Sequence, residues 1–427
     1  MRFVERHDII VVGSGMAGLC AALTGLEAGL DVLIVEREAC VGGTTFLSDG
    51  VFNCFDPKRQ IKSRVEDSPE KHLKDVLAAG RLRNHVKLAE TFCYEALPTL
   101  SWLENLGFEF ESKIYRVKGA PYPRCHRPSK GRGDAYVTFL LQEAQKRGLK
   151  LMLKTTVMQP LWDGRRDRIS GVVVSSRDPK RTEMAIGARI GVVFAYGGFQ
   201  ANNELLARYS PLLDGAGSYG APGCRGELLA KAADLGGETI HTGYFVWHLE
   251  ADCPSCLMHP ERFILVDAKG QRFCREDLQF DALGERILEC EGKTAWLASS
   301  DIHSSASVPF KNEDFRKTLE DYNRSVAFRH DAAFGKDPHF LQPLTGRLGF
   351  MRVTPRVATT LGGLLINEGA QVLDRHGRPI EGLAAAGDAV GGIFGCWSAT
   401  GDNLAAAAVF GRLAVRTLLE RKGRSLT

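Results

Sequence analysis

Asp8-Ile9-Ile10-Val11-Val12 runs without a break into Gly13-Ser14-Gly15-Met16-Ala17-Gly18, and a second apolar run, Val32-Leu33-Ile34-Val35, ends on Glu36. The two runs read as strands. Between them Leu19, Ala22, Leu23 and Leu26 read as the apolar face of an amphipathic helix that Gly29 stops. Each glycine has its own task in such a strand–turn–helix. Gly13 makes the tight turn, Gly15 lets a pyrophosphate reach the backbone, and Gly18 lets helix and strand pack closely. The N–H groups at the helix start suit phosphates, and Glu36 stands at the distance needed to bind the hydroxyls of an adenosine ribose. A glycine triplet alone says little. In a complete βαβ setting, with the acid in place, it predicts a dinucleotide site.

The flanking sequence narrows the choice. An acid at position 36 repels a 2′-phosphate, which argues against NADP. Glu36-Arg37 is soon followed by Gly42-Gly43-Thr44-Thr45, a second turn where backbone and ligand meet, and this favours FAD over NAD. The far end of the chain agrees. Gly382-Leu383-Ala384-Ala385-Ala386-Gly387-Asp388 reads as a small-residue strand whose final acid is placed to bond a ribityl or pyrophosphate oxygen. Gly391-Gly392-Ile393-Phe394-Gly395 then leads to Thr400-Gly401-Asp402-Asn403 and a helix from Leu404 to about Arg421. The positive end of that helix suits the negative charge that builds on a reduced flavin.

A chain of 427 residues exceeds one ordinary core, so two domains are expected. With 44% hydrophobic and 25% charged residues it has the composition of a soluble globular protein, and a net charge of +4 gives no reason to expect nucleic acid. Basic residues do gather at Arg116, Lys118, Arg124, Arg127, Lys130 and Arg132, either to attract an anion or as a solvated loop. No apolar run approaches the ~18 residues of a membrane span, and Met1 to Asp8 lacks a signal peptide's hydrophobic stretch. Eleven cysteines, an odd number scattered along the chain, suit reduced thiols and a cytoplasmic location. Cys253-Pro254-Ser255-Cys256-Leu257-Met258-His259 matches neither haem attachment nor a zinc ligand set, and no metal site is expected. It reads as a structural or incidental pair, with redox activity as the alternative.

Over most of its length the sequence resembles the flavoprotein family that includes soluble fumarate reductases, flavocytochrome c flavin domains, urocanate reductase and 3-ketosteroid dehydrogenases. The resemblance is carried by the Gly13 turn, Gly42-Gly43 through Gly50, Glu66-Asp67-Ser68-Pro69-Glu70, Trp102 to Gly107 and His126-Arg127-Pro128. It continues through Ala195-Tyr196-Gly197-Gly198-Phe199, Gly270-Gln271-Arg272-Phe273, Thr354-Pro355, Leu361-Gly362-Gly363 and Gly387-Asp388. It implies an α/β chain: a Rossmann-like FAD-binding domain, residues 1–243 and 359–427, with an inserted α+β substrate-capping domain, residues 244–358. Cofactor contacts are expected from Gly13, Ser14, Gly15, Ala17, Gly18, Glu36, Arg37, Gly42, Gly43, Thr44, Thr45, Gly50, Val157, Gly387, Asp388, Asn403 and Leu404. The FAD is expected to be non-covalent, because Thr44 to Ser48 lacks the histidine that covalent members of the family use.

The resemblance also implies hydride transfer between flavin and a carbon–carbon bond next to a carbonyl or carboxylate, by ene reduction or desaturation. Such a site needs a clamp that polarises the conjugated system and a group that handles the proton. The first clamp histidine of the fumarate-reducing branch falls on His248, but the second falls on Thr359 and the proton-donating arginine on Phe280. Gly395 to Ala399 carries no arginine for the late carboxylate contact, so fumarate is not the expected substrate. Tyr122 is the candidate proton carrier, as tyrosines are in the steroid branch, and Arg356 the replacement clamp beside His248. The expected partners are a small molecule with a conjugated carbonyl or carboxylate and an external electron donor or acceptor, with neither nucleic acid nor a membrane span. A 3-ketosteroid-type dehydrogenase and a non-catalytic flavin-binding or electron-transfer partner remain as alternatives.

Overall fold

The strand Glu5–Val12 lies inside a sheet, flanked in parallel by Val32–Val35 on one side and Glu183–Phe194 on the other. Ile9 to Val12 are all buried, which explains why the run is apolar throughout instead of alternating: a parallel strand is covered on both faces. Lys150–Met152 extends the sheet beyond Val32–Val35, and Pro379–Ala385 extends it beyond Glu183–Phe194. The strand Glu183–Phe194 serves three partners along its length. Ile186 to Phe194 pair in parallel with Glu5–Val12, while Glu183 to Gly187 pair antiparallel with Ile169–Ser176 and Val192 to Phe194 in parallel with Pro379–Ala385. The computed structural model describes residues 3–423 apart from 63, 117–120, 166, 177–182, 304–305 and 422, so Lys118 of the basic cluster lies outside the described residues.

One expectation from the sequence needs correcting here. The helix Met16–Glu27 is not amphipathic: every residue from Met16 to Leu26 is buried. Helices Gly133–Lys146 and Asp402–Glu420 both pack on it, so it has no solvent face to make polar. A Cβ on Gly411 would lie 2.3 Å from the Ala17 carbonyl oxygen, so the first and last helices meet backbone to backbone. The buried row Ala405 to Ala408 serves the same close approach.

By contacts within the chain, residues fall into two compact units: Met1–Leu205 with Gly220–Phe245 and Thr359–Thr427, and Leu206–Tyr219 with Val246–Ala358. The sequence reading draws its boundaries at 243/244 and 358/359 and keeps 206–219 with the first part. Among the described residues no helix is long and apolar enough to cross a membrane.

The second unit is built on strands ordered Phe245–Glu250, Gly349–Thr360, Ala295–Ser299 and Ile264–Val266. Side chains alternate between two cores. Phe263, Leu265, Leu297, Met351 and Val353 join one with Leu283 and Ile287 of helix Phe280–Leu288. Ile264, Val266 and Ala298 join the other with Phe315 and Tyr322 of helix Asn312–Ala327. A buried ion network ties the edge of this sheet. Arg272 bonds Glu276 and Asp331, and Lys336, 1% exposed, bonds the second Glu276 oxygen at 3.1 Å and the Phe263 carbonyl at 3.1 Å. Glu276→Ala would strip a partner from two buried cations, and breaking a buried pair costs about 3–5 kcal/mol. The urea midpoint should fall clearly, and less for Glu276→Gln, which fills the same space and keeps one of the two acceptor oxygens; equal midpoints for wild type and Glu276→Ala would refute this role.

Candidate functional site

Two glycines of the first turn are required by the protein itself. Gly13 has φ +102°, and a Cβ there would lie 2.3 Å from the Ala195 carbonyl oxygen; one on Gly18 would lie 2.0 Å from that of Gly13. Gly15 differs. Its φ of −71° suits any residue, and its Cβ would meet Thr45 Oγ1 at 3.5 Å and the Gly42 oxygen at 3.8 Å, ordinary contacts. Nothing within the chain demands glycine at this position, so the space beside it is kept for something else. That space is a cavity of about 360 Å³ running past the turn.

Glu36, at the end of Val32–Val35, is buried and held by the backbone. Its Oε2 accepts from the Ser14 amide at 3.0 Å and the Ser14 hydroxyl at 2.6 Å, and its Oε1 accepts from the Glu38 amide at 2.9 Å. A carboxylate offers about four lone-pair sites, so acceptor capacity remains for ribose hydroxyls. Ser14 Oγ in turn accepts from the Gly42 amide at 3.1 Å, and Thr45 Oγ1 accepts from the Met16 amide at 2.9 Å. The two glycine turns are thereby tied into one wall.

Gly13, Ser14, Gly15, Ala17, Glu36, Arg37, Gly43, Thr44, Thr45, Val157, Gly387 and Asp388 all line this cavity. Asn403 lines a smaller adjoining pocket that shares Gly387 and Asp388. Gly18 and Gly42 shape the turns from behind, while Gly50 packs against the backbone of Arg132, and Leu404 lines neither pocket. Asp388 keeps part of its surface open to the cavity, yet the surrounding walls bury it, and that burial pushes its carboxyl up; the Thr359 hydroxyl, donating at 2.5 Å, opposes the shift. Gln200 Oε1, Thr360 Oγ1 and Asn403 Oδ1 are buried without a hydrogen-bond partner. The first two stand side by side, 2.5 and 2.2 Å from where a Gly198 Cβ would be. Orphaned buried polar atoms are rare. Thr360 and Asn403 line the smaller pocket beside Asp388, and Gln200 reaches Thr44 of the main cavity wall at 3.4 Å, so the unpaired atoms fit the polar ring edge of a dinucleotide.

Sequence reasoning missed Thr360, which lines the smaller pocket, Gln200 beside it, and Ala221 to Cys224, which form part of the cavity wall. The one available signal was the quoted Ala195 to Phe199 stretch immediately before Gln200. It also missed a cluster at the Gly391 to Gly395 turn. His85 donates its amide to the Gly392 carbonyl at 2.7 Å, and His241 and Tyr244 have ring centroids 5.2 Å apart. A hydrogen bond to Cys396 raises the Tyr244 phenol, and burial, with His85 and Arg83 adding, lowers His241.

The basic cluster is not an open anion site at Arg124. Arg124 is buried, with Nε and Nη2 donating to the two oxygens of Asp67 at 2.7 Å and Nη1 donating to Asp75 at 2.7 Å. Its guanidinium lies 4.9 Å from the centroid of the Tyr122 ring. Beside it the buried His126 ring reaches the Asp56 carboxylate at 3.1 Å. Burial pushes Asp56 up, but bonds from His126 and Arg59 outweigh this and hold the carboxyl well below the usual carboxylate range. In the second unit the His248 ring stacks on Tyr219 with centroids 3.6 Å apart. Arg356 donates from Nε to Glu250 at 2.9 Å and from Nη1 to the Ala216 carbonyl at 3.2 Å, with Nη2 also 2.9 Å from Glu250. A guanidinium has five N–H donors, so some remain for a ligand.

The fold and the lined turn define a dinucleotide-binding flavoprotein class. The family model described as FAD binding domain matches residues 8–403, and the chain belongs to that family, with FAD as its cofactor. It is 29% identical to a probable fumarate reductase of Shewanella frigidimarina, over 96% of this chain and 74% of that protein. It is 28% identical to a urocanate reductase of Eggerthella lenta, over 95% and 73%. Among solved structures, a flavocytochrome c3 fumarate reductase in an open conformation superposes with a TM-score of 0.86 at 27% identity, covering 98% of this chain and 79% of that one.

Two substitutions separate the cofactor pocket from the fold. Gly15→Val fills the space at a φ that valine tolerates, so the protein should stay folded but lose flavin on desalting. Glu36→Arg removes an acceptor whose charged hydrogen bonds are worth about 1.5–3 kcal/mol each, and FAD should bind at least roughly tenfold more weakly. The ratio of flavin to protein absorbance reads both; full retention in Gly15→Val would exclude this cavity as the FAD site.

Proposed function

We propose that the chain is an FAD-dependent oxidoreductase that makes or breaks a carbon–carbon double bond next to a carbonyl or carboxylate. One observation carries this reading. The two named relatives are almost equally similar to the chain, yet one is named for fumarate and the other for urocanate. Both are unsaturated acids, so ene chemistry is the common property and the particular acid is not.

Bound FAD supplies the hydride acceptor or donor. The chain's own residues do the rest. The Gly13 to Gly18 turn, Glu36, Thr44 and Thr45 hold the adenosine and pyrophosphate half, and Asp388 and Asn403 the ribityl half. His248 polarises the substrate carbonyl, Arg356 assists through its free N–H groups, and Tyr122 carries the proton. Fumarate itself is not the substrate in this reading. Thr359, where the resemblance expects a clamp histidine, gives its hydroxyl to Asp388, and Phe280 begins a helix and packs on an apolar core where an arginine is expected. Electrons come from or go to an external partner, and the odd cysteine count supports a cytoplasmic location.

The FAD should be non-covalent, so acid precipitation should release all the yellow colour; flavin left in the pellet would sink that part. The reaction itself is tested by stopped-flow reoxidation of dithionite-reduced protein with a panel of enoic acids and enones, steroid enones included. At least one should reoxidise the flavin far faster than fumarate; if none beats buffer, the chain is a flavin-binding partner and not this enzyme. On the substrate so found, Tyr122→Phe should slow turnover about a hundredfold with FAD retained, and His248→Ala should also raise KM. Normal turnover in Tyr122→Phe would move the proton to another donor, with the Cys396-bonded Tyr244 next in line.

A further inference from the structure

Cys253 and Cys256 occupy the loop after strand Phe245–Glu250, where the short 3₁₀ turn Pro254–Met258 brings their side chains together. The Cys256 thiol donates to Cys253 Sγ at 3.0 Å, and Cys253 Sγ lies 3.2 Å from Ser255 Oγ. The backbone is pinned on both sides: the Cys253 amide contacts Met351 Sδ at 3.1 Å, and the Cys256 amide donates to the Cys253 carbonyl at 3.1 Å. The sulfurs need to close by about 1 Å to reach bonding distance, a change that side-chain rotation supplies. Both thiols are partly exposed, as are Cys290 and Cys396, and Cys40 is exposed, whereas Cys20, Cys54, Cys93, Cys125, Cys224 and Cys274 are buried. Among the described residues no group of three His, Cys, Asp or Glu side chains could hold a metal, so the pair is not part of a larger ligand set.

We infer that Cys253 and Cys256 form a thiol–disulfide exchange site whose substrates are low-molecular-weight disulfides. The inference is independent of the carbon–carbon chemistry proposed above. The roles of the two sulfurs follow from their surroundings. Ser255, then Cys256, hold the Cys253 thiol below its ordinary value, while burial, then Cys253, pushes Cys256 up to about 11. Cys253 is therefore the attacking thiolate and Cys256 the resolving thiol. Cys253 attacks one sulfur of the small disulfide, breaks its S–S bond and releases one thiolate, which takes up a proton. Cys256 then gives its proton to solvent and attacks Cys253, releasing the second thiolate, which is protonated in turn. Two electrons pass from the protein dithiol to the small disulfide, leaving one internal disulfide and two small thiols.

The test uses the full FAD-loaded chain, glutathione disulfide as probe and peptide mass spectrometry as readout, with flavin absorbance confirming the fold. Wild type should lose the Cys253 and Cys256 thiols together, joined within one peptide spanning 253–256, and recover both with dithiothreitol, whatever single adducts form on the other exposed thiols. Cys256→Ser should accumulate a stable glutathione adduct on Cys253. Cys253→Ser should form its adduct on Cys256 at least roughly tenfold more slowly at neutral pH, because less of that thiol is ionised. Equal rates in the two variants would overturn the assignment of roles. A lasting adduct on wild-type Cys253, or no thiol loss at all, would overturn the site.

Discussion

The arrangement of the cofactor wall depends on the carboxylate of Glu36. It is buried, and a buried carboxylate without donors is costly enough that the surrounding backbone has to satisfy it. Ser14 does so twice, from its amide and its hydroxyl, and the same hydroxyl then receives the Gly42 amide. One side chain thus fastens the end of Val32–Val35 to the first glycine turn and the first turn to the second. The turn that would accept a pyrophosphate and the acid that would accept a ribose are parts of a single hydrogen-bonded unit. Neither moves without disturbing the other, and such pre-organisation reduces the ordering cost of binding a long ligand.

The cavity beside that unit is formed by close approach elsewhere. Gly18 brings the first helix against the turn, and Gly411 brings the last helix against the first. A helix covered on all sides must be apolar and small-faced all round, which is why Met16 to Leu26 carries no solvent stripe and why alanines recur at 405–408. The last helix begins with Asp402 and Asn403, so the packing that buries the first helix also places Asn403 at the small pocket shared with Asp388.

How much of this was readable from sequence follows from sequence separation. The Gly13 to Glu36 unit is local: strand, turn, helix and acid occur in order within one short stretch, and hydrophobic pattern and glycine spacing suffice to read it. Gly387-Asp388 was readable for the same reason. The basic stretch was not. Arg124 reads as an open cation, and the partners that neutralise it, Asp67 and Asp75, are 57 and 49 positions away. Arg356 is likewise matched by Glu250, 106 positions away, and composition gives no sign of such pairings. Thr360 belongs to the same class of miss: its buried hydroxyl becomes visible as part of a site only once the end of strand Gly349–Thr360 comes beside Gly198 and Gln200, far earlier in the chain.

Thr359 marks where the cofactor-side and substrate-side readings separate. A histidine at this position, as the resemblance expects, would offer a charge-bearing ring to a carboxylate. The threonine hydroxyl instead donates to Asp388, inside the pocket that the cofactor is expected to fill. A donor used there is lost to a substrate clamp, and Asp388, which burial pushes toward its neutral form, gains a partner that favours its charge. Thr359 therefore tightens the cofactor-side network, and its hydroxyl is already engaged there.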